Sequence, residues 1–174
     1  FAAAMDPEVV MRVSGVLDDA GQPYLGCTAT TAYAPRWASE AFIAGMSRYY
    51  PRIERVPSLA EVATQVFKFG LYDEAGIPAD LPVRLGQSVG DSVAPVASGH
   101  GSMDLGVPGV TKATGLRILL DRWGLREQDV AAFGDSPNDL EMLAAAGRSV
   151  AMANADPAVK ATARLETESN DDDG

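Results

Sequence analysis

The sequence predicts an α/β protein in two parts, an α+β segment over residues 1–101 and part of a Rossmann-like parallel sheet over residues 102–174. Three observations predict this. From about Thr111 onward the chain is Ala-rich and alternates helix-period stretches with short apolar runs joined by brief links, the pattern of parallel strands with crossover helices. Before Gly101, helices and strands mix without that alternation. All five tyrosines fall in the first part, which marks a break in composition.

The elements follow in order. Asp6-Pro7 starts a helix, because Asp caps free N–H groups and Pro fits the first helical position. Val9, Val10, Val13, Val16 and Leu17 recur at helical spacing until Gly21. Residues 24–33, rich in Thr and aromatics, read as one strand. Pro35 is expected to open a helix with Trp37, Ala41, Phe42 and Met46 on one face, and Pro57-Ser58 a short one through Ala63. Val66 to Phe69 alternates like a half-buried strand, and residues 79–90 are weakly helical. Residues 112–123 form an amphipathic helix, with Leu116, Leu119, Leu120 and Trp123 on its apolar side and Gly124 as its stop. Val130 to Phe133 is wholly apolar, as in a buried parallel strand. Pro137 opens a helix closed by Gly147, Ser149 to Met152 is a second strand, and Asp156-Pro157 starts a last helix through about Ala163.

Composition narrows the function. The chain has 174 residues with a net charge of −10, which excludes a nucleic-acid binder relying on a basic surface. No apolar stretch approaches the roughly 18 residues of a membrane span. Cys27 is the single cysteine and is read as a small core residue, so no intrachain disulfide or cysteine zinc cluster forms. His100, the single histidine, is expected to be an exposed loop residue, and Trp37 and Trp123 packing anchors. A cytoplasmic setting without nucleic-acid or membrane partners is the expectation.

Ligands of open parallel sheets bind beyond the carboxyl ends of the strands. Gly134-Asp135-Ser136-Pro137-Asn138-Asp139 lies at such an end. Asp135 leaves the strand, while Asn138 and Asp139 sit in the first turn of the next helix. Two carboxylates and an amide on one rim are hard oxygen ligands suited to Mg²⁺. Gly134 is read as the residue that lets the backbone turn sharply. Caps account for Asp and Asn at helix starts without any metal, but two acids at one strand end are costly unless a cation joins them. Lys112 opens the helix that feeds this strand. A cation there opposes the helix dipole and makes sense if it faces a phosphate or the carboxylates.

These stretches, with Gly109 to Leu116, Val150 to Ala155 and Ser169-Asn170, resemble the haloacid dehalogenase-like phosphatases, most closely the Cof-type branch, over residues 103–174. The resemblance implies a haloacid dehalogenase-like core whose first hundred residues correspond to the α+β cap domain. It implies a catalytic and phosphate-binding role for Lys112, Mg²⁺ at Asp135, and phosphate contact or loop ordering for Asn138. For Asp139 it implies a catalytic acid acting through a metal-bound water or by holding the lysine. The family opens with an apolar strand ending in Asp-x-Asp-Gly-Thr, and none precedes Phe1. Asp171-Asp172-Asp173-Gly174 has a similar spelling, but polar residues lead into it. The expectation is a fragment, or a protein lacking its first core segment, inactive alone and with apolar sheet edges exposed. Metal and phosphate binding without cleavage, or phosphomutase chemistry, are the alternatives.

Overall fold

The computed structural model describes residues 3–99 and 101–174; the expectation for His100 lies outside the described residues. The chain divides into two compact units, Phe1–Pro108 and Gly109–Gly174.

The first unit is a six-stranded sheet in the order β3-β2-β1-β4-β6-β5. Its strands are β1 (Tyr24–Cys27), β2 (Ala32–Pro35), β3 (Ile53–Val56), β4 (Lys68–Tyr72), β5 (Ala94–Gly99) and β6 (Ser102–Gly106). All pairings are antiparallel except β2 with β3. Helix α1 (Pro7–Ala20) begins where the Asp6 carboxylate accepts the Glu8 amide at 2.8 Å. It packs on helix α3 (Leu81–Val89). Together they bury Val10, Val13, Leu17, Leu81 and Leu85 against Phe69, Leu71 and Leu105 from one side of the sheet. Each such side chain contributes roughly 1.5–3 kcal/mol on leaving water. The alternate residues Leu25, Cys27 and Ala34 meet Phe42 and Met46 of helix α2 (Glu40–Met46) on the other side.

Several readings of this part are corrected. Residues 24–33 are two strands, because the chain reverses where Thr28 Oγ1 donates to the Thr31 carbonyl at 2.8 Å. Pro35 ends β2, and α2 starts at the Ser39 cap instead. Trp37 therefore lies outside the helix and is 48% exposed, with its indole N–H donating to Asp18 at 3.0 Å. Residues 102–106 pair with β4 and β5, so this unit runs on to Pro108 rather than stopping near Gly101.

The second unit is a three-stranded parallel sheet, β7 (Ala131–Gly134), β8 (Arg148–Ala151) and β9 (Leu165–Glu166), in that order. Helix α4 (Lys112–Trp123) precedes it, α5 (Leu140–Ala145) joins β7 to β8 and α6 (Pro157–Thr162) joins β8 to β9. Leu143, Ala146, Ala132, Ala151 and Val159 form its core. Parallel order brings the carboxyl ends of all three strands to one edge, where the loops after Gly134, Ala151 and Glu166 emerge. Trp123 is 64% exposed and anchors no packing, and Leu119 is exposed as well. Strand β7 is not buried on both sides. Ala132 and Gly134 are covered while Phe133 is 56% exposed, and the outer edge of β7 has no partner among the described residues.

Candidate metal and phosphate site

The site grows from one close approach. Gly134 ends β7, and a Cβ there would come within 2.6 Å of the Asp139 Cβ and 2.9 Å of its carboxylate. Only glycine lets the strand end and the carboxylate share that space. The reason is contact, since the Gly134 φ does not fall in the left-handed region; the expectation of a special turn is corrected.

Asp139 is buried, with 4% of its side chain exposed. Its Oδ2 accepts the backbone N–H groups of Asp135 at 3.1 Å and Ser136 at 3.2 Å. Its Oδ1 accepts the Lys112 ammonium. A buried carboxylate holding three donors, one of them cationic, is a stable arrangement, whereas the same group unpaired is costly. Both oxygens are thus committed, and the geometry favours the lysine-holding role among those the resemblance implies.

Lys112 is the first residue of α4, after the Thr111 cap. Thr111 Oγ1 accepts the Thr114 amide at 3.3 Å, and the Thr114 hydroxyl accepts the Thr111 amide at 2.8 Å. The Thr111 hydroxyl also donates to Glu141 on α5 at 2.7 Å. The start of α4 is therefore fastened at two points, to α5 by Thr111 with Glu141 and to the loop after β7 by Lys112 with Asp139. Half of the Lys112 side chain remains open (49%), leaving ammonium donors for an anion.

Asp135 follows β7 directly. Its backbone is held on both sides, its N–H by Asp139 and its carbonyl by the Asp156 amide at 2.9 Å. Its carboxylate takes part in no hydrogen bond or ion pair among the described residues. Asn138 lies in the short 3-10 turn Pro137–Asp139, and its Oδ1 is buried without a hydrogen-bond partner. An orphaned buried acceptor is rare in folded proteins and is accounted for by strain, by a catalytic role, or by a water or ion beside it. An uncommitted carboxylate and an unpaired amide oxygen on one short loop are the donor set of a hard cation, so the residues fit Mg²⁺. No group of three His, Cys, Asp or Glu side chains converges among the described residues, and Mg²⁺ needs none, since it keeps waters and binds few carboxylates.

All four residues read from the sequence thus lie within one unit, with Lys112 and Asp139 in contact and Asp135 and Asn138 on the same loop. Sequence reasoning missed the two supports, Thr111 with Glu141 and the Asp156 amide. The Thr-x-x-Thr spacing at 111–114 signals the first, and nothing local signals the second.

A family model described as haloacid dehalogenase-like hydrolase matches residues 1–174. The chain belongs to this family. It is 38% identical over 150 residues to the 5-amino-6-(5-phospho-D-ribitylamino)uracil phosphatase YbjI of Escherichia coli K12, covering 86% of this chain and 55% of the relative. It is 38% identical over 122 residues to the pyridoxal phosphate phosphatase YbhA of the same organism, covering 66% and 43%. Among solved structures it resembles SMU.1108c from Streptococcus mutans UA159 with a TM-score of 0.83 at 27% identity, covering 99% of this chain and 66% of that one. TM0651 from Thermotoga maritima gives 0.76 at 26%, covering 98% and 64%. The chain therefore spans about half the length of these two curated relatives. No helix among the described residues is long and apolar enough to cross a membrane.

Proposed function

We propose that these residues form the metal- and phosphate-binding side of a Mg²⁺-dependent phosphatase that hydrolyses a small phosphomonoester, sugar phosphates included. The reaction runs through an aspartyl-phosphate whose nucleophile is not among these 174 residues. The observation that carries the reading is the Lys112–Asp139 contact on the loop that presents Asp135. Asp139 holds the lysine and orders the loop through two backbone amides. Lys112 offers its remaining donors to a phosphoryl oxygen and offsets charge there, as an ammonium next to a transferring phosphoryl group does. Asp135 and Asn138 would hold the metal and the phosphate, and a bound Mg²⁺ would supply charge neutralisation and alignment of the phosphoryl oxygens. The nucleophile is expected on a strand added along the open edge of β7.

The names of YbjI and YbhA support this class, since both denote phosphatases of small phosphate esters. The unit Phe1–Pro108 takes the part of the family's substrate-selecting cap domain. A small phosphorylated metabolite in the cytoplasm is the matching partner. The test is phosphate release from a panel of monoesters by the full-length protein with and without Mg²⁺. Asp135→Ala should abolish the metal-dependent rate while circular dichroism stays native. Unchanged rates would remove Asp135 from the chemistry, and ligand binding without product would favour a non-catalytic module.

A further inference from the structure

The first turn of α4 carries Lys112, and by its own sequence that turn is weak. A helix N-terminus favours anions, yet the first turn of α4 holds no acid and opens on a cation. Asp121, the one acid of the helix, lies in its last turn, where a carboxylate is least favoured. Gly115, the fourth residue, weakens a helix, and no close contact asks for it, since a Cβ there would meet nothing within 4 Å. Within the unit, Ala113 and Leu120 are the buried residues of α4, so packing holds the first turn through one small side chain. The ion pair with Asp139 does not make up for this. It acts at the tip of a flexible four-carbon stem that is half open to solvent.

Glu141 supplies what α4 lacks. It belongs to α5, and its carboxylate accepts the Thr111 hydroxyl at 2.7 Å. A hydrogen bond that ends on a carboxylate is roughly twice as strong as a neutral one. It also orders the hydroxyl. With its proton committed to Glu141, Thr111 Oγ1 keeps its lone pairs for the Thr114 amide, which it accepts at 3.3 Å. A neighbouring helix thus places an anion at the N-terminal end of α4. Thr111 and Lys112 are adjacent, so the two carboxylates divide the work. Glu141 fixes where the Lys112 stem begins, and Asp139 fixes where its ammonium ends.

We propose that Glu141 is a positioning residue for Lys112, acting through the Thr111 hydroxyl. Its kinetic consequence rests on the phosphatase reading, while the placement of Lys112 is measurable without turnover. Glu141 itself touches no phosphate. Without it the first turn of α4 frays, and the ammonium divides its time between Asp139 and water. The lysine keeps its charge, so the general attraction of a phosphate survives. The oriented contact, which matters most as charge develops in the transition state, is lost. The effect therefore falls on kcat more than on KM.

The experiment uses the full-length protein. Brief acetylation with acetic anhydride, read by peptide mass spectrometry, compares Lys112 with Lys160 on α6. Glu141 is exposed, so its replacement leaves the core intact. Glu141→Ala should raise the labelling rate of Lys112 several-fold and leave Lys160 unchanged. Glu141→Gln, whose amide oxygen still accepts, should stay near the unmodified rate. Thr111→Val keeps the shape without the hydroxyl. It should raise the rate too, and adding Glu141→Ala to it should change nothing more. With p-nitrophenyl phosphate and Mg²⁺, Glu141→Ala should lower kcat about tenfold, the low end for a hydrogen bond to a charged group, with KM nearly unchanged. Unchanged Lys112 labelling in Glu141→Ala, an equal rise at Lys160, or a Glu141→Ala effect that persists in full beside Thr111→Val would overturn the proposal. An unchanged kcat in a protein that turns over would do the same. If the unmodified protein releases phosphate from no ester, the phosphatase reading falls, and the labelling still decides what positions Lys112.

Discussion

Removing the Asp139 carboxylate tests how the second unit is built. In Asp139→Ala the backbone N–H groups of Asp135 and Ser136 lose their acceptor, and each unsatisfied buried donor costs about 1–3 kcal/mol. The ion pair adds about 1 kcal/mol at most, because half of Lys112 is already open to water. Together the loss is about 2–7 kcal/mol, comparable to the whole stability of a small unit. Asp139→Asn keeps the shape and one acceptor oxygen, so it should lose about half as much. Urea denaturation followed by circular dichroism gives the totals. Amide hydrogen exchange locates them, since Asp135 and Ser136 should exchange faster in both variants while β8 changes only with global stability. A loss under about 0.5 kcal/mol in Asp139→Ala, within the range of ordinary surface substitutions, would refute this account of the loop.

Other expectations are smaller in scope. Gly134→Ala forces a methyl into the Asp139 carboxylate and should lower the melting temperature; an unchanged melting temperature contradicts the close approach. Burial, together with the neighbouring Cys27, pushes the Tyr50 hydroxyl up to about 12. The folded state therefore keeps that proton longer than the unfolded chain. This contribution is complete below the ordinary tyrosine value of about 10 and is lost as pH climbs from there toward 12. The urea midpoint of the first unit should fall over that window, and less so in Tyr50→Phe. Burial also raises the Cys27 thiol, which should resist alkylation in the native chain and react once unfolded in urea.

The legibility of the chain differs between its halves for physical reasons. Helix α4 is readable because Thr111 and Gly124 bracket a helical repeat, and β7 and β8 because short apolar runs precede Gly134 and Met152. Strands β5 and β6 escaped because Pro95, Gly99, Gly101 and Gly106 punctuate them like a loop, while cross-strand pairing with β4 overrides that local preference. The reversal at Thr28 to Thr31 contains no glycine or proline, so residues 24–33 looked continuous. Phe133 reads as core, yet lies exposed on β7, which has no outer neighbour among the described residues; Trp123, at the end of α4, is exposed as well. The residue types of the site were readable, but its geometry was not. That Asp139 spends both oxygens on Lys112 and two amides depends on the contact at Gly134, which no spacing rule encodes.

Paramagnetic broadening by Mn²⁺, as a stand-in for Mg²⁺, addresses the central claim most directly. Added to the ¹⁵N-labelled chain with inorganic phosphate, it should broaden the amides of Asp135, Ser136 and Asn138 first, and Asp135→Asn should remove that effect. Broadening centred on the exposed Asp171 to Asp173 instead, unchanged by Asp135→Asn, would contradict a metal seat at the end of β7.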